Sequence, residues 1–252
     1  SSKQLNVDGG WTSPEDFTEY LAVSPDDRFD YAQVYENQII DASHPPLYYA
    51  LVHTVCSFFP GVISKWLAYS INVLAMSGNL IMLYKFGRKI TGNNLYALIG
   101  VGAYALSIAC ITTTIYLRMY ATLTFWVLAF VYMSIKLYEN KNTVGIKDCI
   151  LLAVTVLCGV LTQYYFILFA GLTGLVFLVF KIKEKCGKDL IKYIIAAVVG
   201  AGLALCIYPY IISNVLGGNS GLSSLDMSAL VMVTVETYVF YKQCSYVQIH
   251  AK

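Results

Sequence analysis

The feature that most constrains the fold is a stretch of 32 residues, 149–180, that contains no charged side chain. An α-helix rises about 1.5 Å per residue, so about 20 apolar residues cross the hydrocarbon core of a bilayer. A run of this length is too long for one membrane-spanning helix. The polar corner at Gln163, Tyr164 and Tyr165 divides it, and the sequence therefore predicts two helices that meet at this corner.

Further apolar runs repeat the pattern at residues 62–84, 95–115, 119–138, 190–213 and 228–241. The composition agrees, because 58% of the residues are hydrophobic and only 13% are charged, whereas a soluble domain is about 25% charged. This balance excludes a disordered chain and argues against a water-soluble enzyme. The sequence predicts an all-α, polytopic transmembrane helix bundle of about six to seven spans over residues 62–252.

Positive charge predicts how the bundle is oriented. Ten basic residues follow the first, third and fifth runs, and the positive-inside rule puts them on the cytoplasmic side: Lys85, Arg88, Lys89, Lys136, Lys141, Lys147, Lys181, Lys183, Lys185 and Lys188. Arg118 and the Gln163 corner then fall on the outer side. The net charge of +2 provides no basic field for nucleic acid, so we expect no nucleic-acid partner.

Residues 1–61 differ from the rest of the chain. Their first 44 residues hold nine acidic residues against two basic ones, with aromatic residues interspersed. Pro14 and Pro25 each follow a serine, which predicts two helix starts. Residues 47–60 are apolar but too short to span a bilayer, which favours an interfacial or re-entrant helix. We expect an outer-face acidic loop with juxtamembrane helices, in a chain that is part of a longer protein.

Two polar elements stand out on the predicted outer side. The sequence from Asp41 through His44 to Tyr49 joins the acidic loop to the membrane, and Arg118 lies inside the apolar stretch 95–138. A charge in such a stretch is costly and usually pairs or faces a cavity. Two simpler explanations remain open, namely tyrosines that anchor the interface and an arginine that snorkels to the headgroups.

Other sequence features predict structural roles. Asn72 and Asn79 are seven residues apart in the first run, hence on one helix face, which favours interhelical hydrogen bonding. The seven cysteines are scattered and predict no disulfide framework. No zinc, Walker or nucleophile-elbow motif is present in the sequence.

The element HPPLYY at 44–49, followed by LRMYA at 117–121, resembles the GT-C class of polytopic membrane glycosyltransferases. The similarity is greatest to the bacterial branch of the protein O-mannosyltransferases and the lipid A aminoarabinose transferase. LTQYYF at 161–166 resembles a further element of these enzymes, which usually has histidine where this chain has Gln163. The resemblance covers residues 30–215. It implies an N-terminal fragment, truncated at both ends, which lacks the family's principal catalytic acid and is inactive alone.

The resemblance implies transfer of a hexosyl or pentosyl group from a polyprenyl-phosphate donor. The acceptor would be an envelope glycan, lipid or protein on the outer face of the bacterial cytoplasmic membrane, with neither cofactor nor metal. His44 and Arg118 would bind the donor phosphate. Asp41 would accept the proton of the attacking hydroxyl, unless the missing upstream acid does so and Asp41 orients His44.

Five further residues would contact the sugar or the phosphate, although interfacial anchoring explains the tyrosines equally well: Tyr48, Tyr49, Tyr120, Gln163 and Tyr164. Two other functions remain open, a transporter or flippase of lipid-linked sugars and a non-catalytic membrane scaffold. A scaffold predicts no convergence of polar groups, and a transporter predicts inverted repeats with broken helices.

Overall fold

The computed structural model describes residues 21–139, 144–183 and 187–216, and all regular structure in these ranges is helical. This confirms the all-α prediction. The predictions that concern Pro14 and the segment 228–241 lie outside the described residues. The helices of the described ranges are α1 (Tyr31–Asp41), α2 (Leu47–Ser57), α3 (Lys65–Thr91), α4 (Asn94–Ala105), α5 (Ile108–Ile115), α6 (Tyr120–Glu139), α7 (Ile146–Thr162), α8 (Tyr165–Lys183), α9 (Gly187–Ile207) and α10 (Ile211–Leu216).

Helices α3, α6 and α9 are long and apolar enough to cross a bilayer. Helices α4 and α5 meet this test together as one bent span, which gives three to four spans in the described residues. The shorter helices α7 and α8 occupy the remaining apolar stretch, so the count of six to seven spans stays a prediction. Large apolar side chains such as Leu74 and Ile194 are exposed on the helices, as expected of surfaces that face lipid.

The predicted division of residues 149–180 is confirmed. Helix α7 ends at Thr162, Gln163 adopts an extended conformation (φ −162°, ψ 140°), and α8 begins at Tyr165. The Gln163 Oε1 atom accepts a hydrogen bond of 2.9 Å from the backbone N–H of Tyr164. This side-chain acceptor satisfies an N–H that the interrupted helix leaves without a carbonyl.

The run 95–115, which the sequence analysis treats as one span, forms two helices whose axes differ in direction by 56°. Helix α4 ends at Ala105, and the Ser107 Oγ atom accepts a hydrogen bond from the N–H of Cys110 at the start of α5. The same hydroxyl donates to the carbonyl oxygen of Tyr104. Ser107 therefore ends one helix and caps the next, because its hydroxyl competes with the helical hydrogen bonds.

The acidic loop packs on the end of α2. The Arg28 Nε donates to the Ser57 carbonyl oxygen (2.8 Å), and the Phe29 ring meets Phe58 edge-on at 5.3 Å. Helix α1 begins after Asp30, whose Oδ1 accepts from the N–H of Gln33. The helix start predicted at Pro25 is wrong, since a turn over residues 26–29 follows this proline and Asp30 provides the cap.

Basic side chains are fixed at one end of the bundle. Lys136 pairs with Asp148 (Nζ to Oδ1, 2.7 Å), and Lys89 pairs with Glu139. The Lys192 Nζ donates to the carbonyl oxygen of Val144. These contacts join the end of α3, the end of α6, the start of α7 and the start of α9. We call this part of the bundle the lysine end, and its composition agrees with the charge pattern of the sequence.

Candidate active site

The polar elements of the sequence lie at the opposite end of the helices, which we call the motif end (residues 38–49, 114–121, 163–164 and 208–214). There the Tyr208 hydroxyl donates to the backbone carbonyl oxygen of Gln38 in α1 (2.9 Å). The Asn214 Nδ2 donates to the Tyr164 hydroxyl (3.0 Å). These bonds fasten α1 and the corner between α7 and α8 to the end of α9 and to α10. The acidic loop is thereby held against the bundle.

Asp41 and His44 form a pair at the end of α1. The Asp41 Oδ2 and His44 Nδ1 atoms are 3.1 Å apart, and their side chains are 44% and 20% exposed. Ala42 between them has a left-handed conformation (φ 54°), which ends α1 and reverses the chain. Pro45 follows with a fixed backbone. The turn thus presents a carboxylate and an imidazole together to solvent.

Tyr49 is close to this pair and within electrostatic reach of Arg118. Its ring centroid is 6.3 Å from that of His44. Burial raises the pKa of the Tyr49 hydroxyl, the Asp41 carboxylate raises it further, and the Arg118 guanidinium lowers it. Tyr120 also raises the pKa of the Tyr49 hydroxyl. Tyr49 is therefore within electrostatic reach of both sequence elements, although they are some seventy residues apart along the chain.

Arg118 is exposed at the turn between α5 and α6. Its guanidinium carbon lies 5.7 Å from the centroid of the Tyr116 ring. Its pKa is raised, mainly through polar contact with the Tyr120 side chain. No carboxylate of the described residues forms an ion pair with it. The aromatic neighbours support the cation, and the guanidinium donors that Tyr120 does not use are open to an anionic ligand.

Two asparagines of α3 bond to the backbone near this turn, Asn72 before Arg118 and Asn79 in the first turn of α6. The Asn72 Nδ2 donates to the carbonyl oxygens of Thr114 (3.2 Å) and Tyr116 (2.7 Å). The Asn79 Nδ2 donates to the carbonyl oxygen of Ala121 (3.1 Å). Both side chains are buried. The interhelical bonding predicted for this pair is confirmed, but its target, the backbone on both sides of Arg118, was not foreseen.

Three of the five predicted contact residues are buried in the protein. Tyr48 is buried, which raises the pKa of its hydroxyl to about 12. Gln163 and Tyr164 are buried as well, and Tyr164 is within electrostatic reach of Asp41. Tyr49 and Tyr120 are partly exposed. The roles assigned to these five residues stay predictions, with Tyr49 and Tyr120 nearest to solvent.

A cavity of about 650 Å³ lies between α6, α7, α8 and α9. Its lining is apolar, with Ile167 and Gly171 on α8 and Ile194 on α9, and α10 borders it through Ile211 and Val215. Because α10 also carries Asn214, this cavity extends to the motif end. Within the described part of the chain, no group of three or more histidine, cysteine or acidic residues is arranged to hold a metal ion.

The comparison with known families identifies the family of this chain. Residues 43–213 match the family model described as dolichyl-phosphate-mannose-protein mannosyltransferase. No curated protein and no solved structure matches the chain. The matched segment contains His44, Tyr49, Arg118 and Tyr164, and therefore most of the motif end.

Proposed function

The chain belongs to the dolichyl-phosphate-mannose-protein mannosyltransferase family of GT-C membrane glycosyltransferases, and we propose that it moves a sugar from a polyprenyl-phosphate donor to an envelope glycan, lipid or protein. The reaction takes place at the motif end, on the outer face of the bacterial cytoplasmic membrane. The observation that carries this proposal is that Tyr49 is next to His44 of the Asp41–His44 pair and within electrostatic reach of Arg118. A scaffold has no need of such an arrangement.

Arg118 receives the donor phosphate. A guanidinium presents parallel donors that match two phosphate oxygens, and Arg118 has no competing carboxylate among the described residues. In its protonated form His44 supplies a second donor, because the Nδ1–H faces the Asp41 carboxylate and the Nε2–H remains for the ligand. Both groups stabilise the negative charge that grows on the phosphate as the glycosidic bond breaks.

Asp41 receives the proton of the acceptor. In this step the acceptor oxygen forms a bond to the anomeric carbon of the sugar, and the bond from that carbon to the phosphate oxygen breaks. The hydroxyl proton passes to the Asp41 carboxylate, and the polyprenyl phosphate leaves with its charge next to Arg118. If a carboxylate outside the described residues accepts the proton, Asp41 instead orients His44.

The apolar cavity accommodates the lipid tail of the donor. Its lining of small and branched side chains suits a prenyl chain, and its border at α10 lies beside the motif end. Gly171 lines this cavity, and a Cβ atom added there meets no atom within 4 Å. Gly171→Leu therefore starts from open space and adds apolar volume to the cavity wall.

The proposal is tested with the full-length protein in liposomes that contain a polyprenyl-phosphate sugar. Sugar transfer to an acceptor supports it, whereas movement of the intact donor across the bilayer without transfer would favour the flippase. Gly171→Leu should raise the KM for the donor and leave kcat unchanged. Gly102→Leu is the matched control, since Gly102 also has open space around it but does not line the cavity.

A further inference from the structure

Asn72 makes more contacts with the candidate site than its position in α3 suggests. The side chain is fully buried, and its amide N–H groups donate to the carbonyl oxygens of Thr114 and Tyr116, just before Arg118. Both donors of the amide are thus used on the Arg118 turn. Its acceptor, Oδ1, is buried and has no hydrogen-bond partner among the described residues.

The HPPLYY element contributes the complementary group. The Tyr48 hydroxyl is also buried without a hydrogen-bond partner among the described residues. Asn72 opposes the effect of burial on the Tyr48 pKa through a polar interaction, so the two side chains are neighbours. A buried hydroxyl that can donate is thus next to a buried amide oxygen that can accept, in two side chains from different elements of the site.

This arrangement connects the two halves of the site. Tyr48 and Tyr49 are adjacent, with ring centroids 5.8 Å apart, and Tyr48 faces inward while Tyr49 lies near Arg118. On this basis, and on the proposed function, we infer that Asn72 is a positioning residue that fixes the HPPLYY helix relative to the Arg118 turn. In this role Asn72 orients the Arg118 guanidinium toward the donor phosphate, which would lie next to Tyr49.

The chain offers a matched control for this role. Asn79 is on the same face of α3, is similarly buried, and donates to one backbone carbonyl, that of Ala121. Its bond lies in the first turn of α6, after Arg118. Asn79→Ala therefore reports the general effect of losing a buried amide from this helix.

A double-mutant cycle in the full-length protein tests the inference. Asn72→Ala should lower kcat/KM for the donor about 10- to 100-fold, the effect expected for a lost buried hydrogen-bonding group. In the Arg118→Lys background it should lower kcat/KM by less than about threefold, because a flexible ammonium depends less on a fixed orientation. Asn79→Ala should have the same effect in both backgrounds. An equal effect of Asn72→Ala in both backgrounds would overturn the inference.

A second measurement does not depend on activity. Hydrogen exchange of the backbone amides at 116–121 should accelerate in Asn72→Ala and stay unchanged in Ser77→Ala, whose hydroxyl bonds only within α3. Unchanged exchange in Asn72→Ala would also refute the positioning role. If the wild type transfers no sugar, the proposed function fails, while the exchange data still decide whether Asn72 holds the turn.

Discussion

The substitution Arg118→Ala is the most direct test of the candidate site. The guanidinium is exposed, lies over the Tyr116 ring, and pairs with no carboxylate of the described residues. Removing it leaves no buried acid without a partner, so we expect the protein to insert and fold normally. The effect should therefore appear in the rate of sugar transfer.

The magnitude follows from the contacts that the phosphate would lose. A bidentate guanidinium–phosphate contact consists of two charge-assisted hydrogen bonds, which are stronger than neutral ones. Their loss in the transition state corresponds to about a 30- to 1000-fold decrease in kcat/KM. Arg118→Lys retains the charge but offers a single point of contact, and we expect it to recover only part of this factor.

The assay compares the two variants with wild type at matched membrane abundance, with a polyprenyl-phosphate sugar as donor. Protein levels and thermal unfolding in detergent serve as the folding control. Full activity of Arg118→Ala would refute the reasoning, because the arginine would then be only a headgroup anchor. Full activity of Arg118→Lys with an inactive alanine variant would show that charge alone is sufficient.

Two further perturbations test how the acidic loop is held. Tyr208→Phe removes the hydroxyl that donates to the Gln38 carbonyl, so the contact between α1 and the bundle should weaken by about 1 kcal/mol. Protease cleavage within α1 should therefore accelerate. The control Tyr210→Phe removes an exposed hydroxyl and should leave the cleavage rate unchanged. Burial lowers the pKa of His53 below its ordinary value of 6.5, against the opposing effect of Asp30. The unfolded loop therefore binds a proton at His53 more readily than the folded loop, and the folded loop should lose stability as pH falls below about 6.5. Protection from protease that does not change with pH in the wild type would contradict this.

Local features of the fold could be predicted because each depends on a few neighbouring residues. The helix break at Gln163 follows from the length of an uncharged run and one polar corner. Helix α2 follows from a short apolar segment after two prolines. The lysine end follows from the spacing of basic residues, two of which, Lys136 and Lys89, pair there with Asp148 and Glu139.

The rest depends on contacts between distant segments. The sequence does not predict the helix cap formed by Ser107, because a serine inside an apolar run also fits a continuous span. The helix start predicted at Pro25 is wrong because this proline precedes a turn, and the Asp30 side chain, which accepts from the N–H of Gln33, caps α1 instead. The spacing of Asn72 and Asn79 predicts a polar face, but it does not identify the backbone that this face meets.

The orientation of the bundle can be tested separately from its chemistry. The contacts of Asn72 place the Arg118 turn near the start of α3, and the Lys89–Glu139 pair marks the end of that helix. The two ends are therefore on opposite sides of a 27-residue helix. The positive-inside rule assigns the lysine end to the cytoplasm, so the motif end should face outward.

Single cysteines in a cysteine-free protein test this assignment with a membrane-impermeant maleimide. Tyr116 at the motif end and Ile146 at the lysine end are 58% and 78% exposed, so the protein itself shields neither position. Tyr116→Cys should react in intact cells, and Ile146→Cys should react only after the membrane is opened. The reverse pattern would invert the bundle and move the proposed reaction to the cytoplasm. Reaction of both in intact cells would mean that the helices between them do not cross the bilayer.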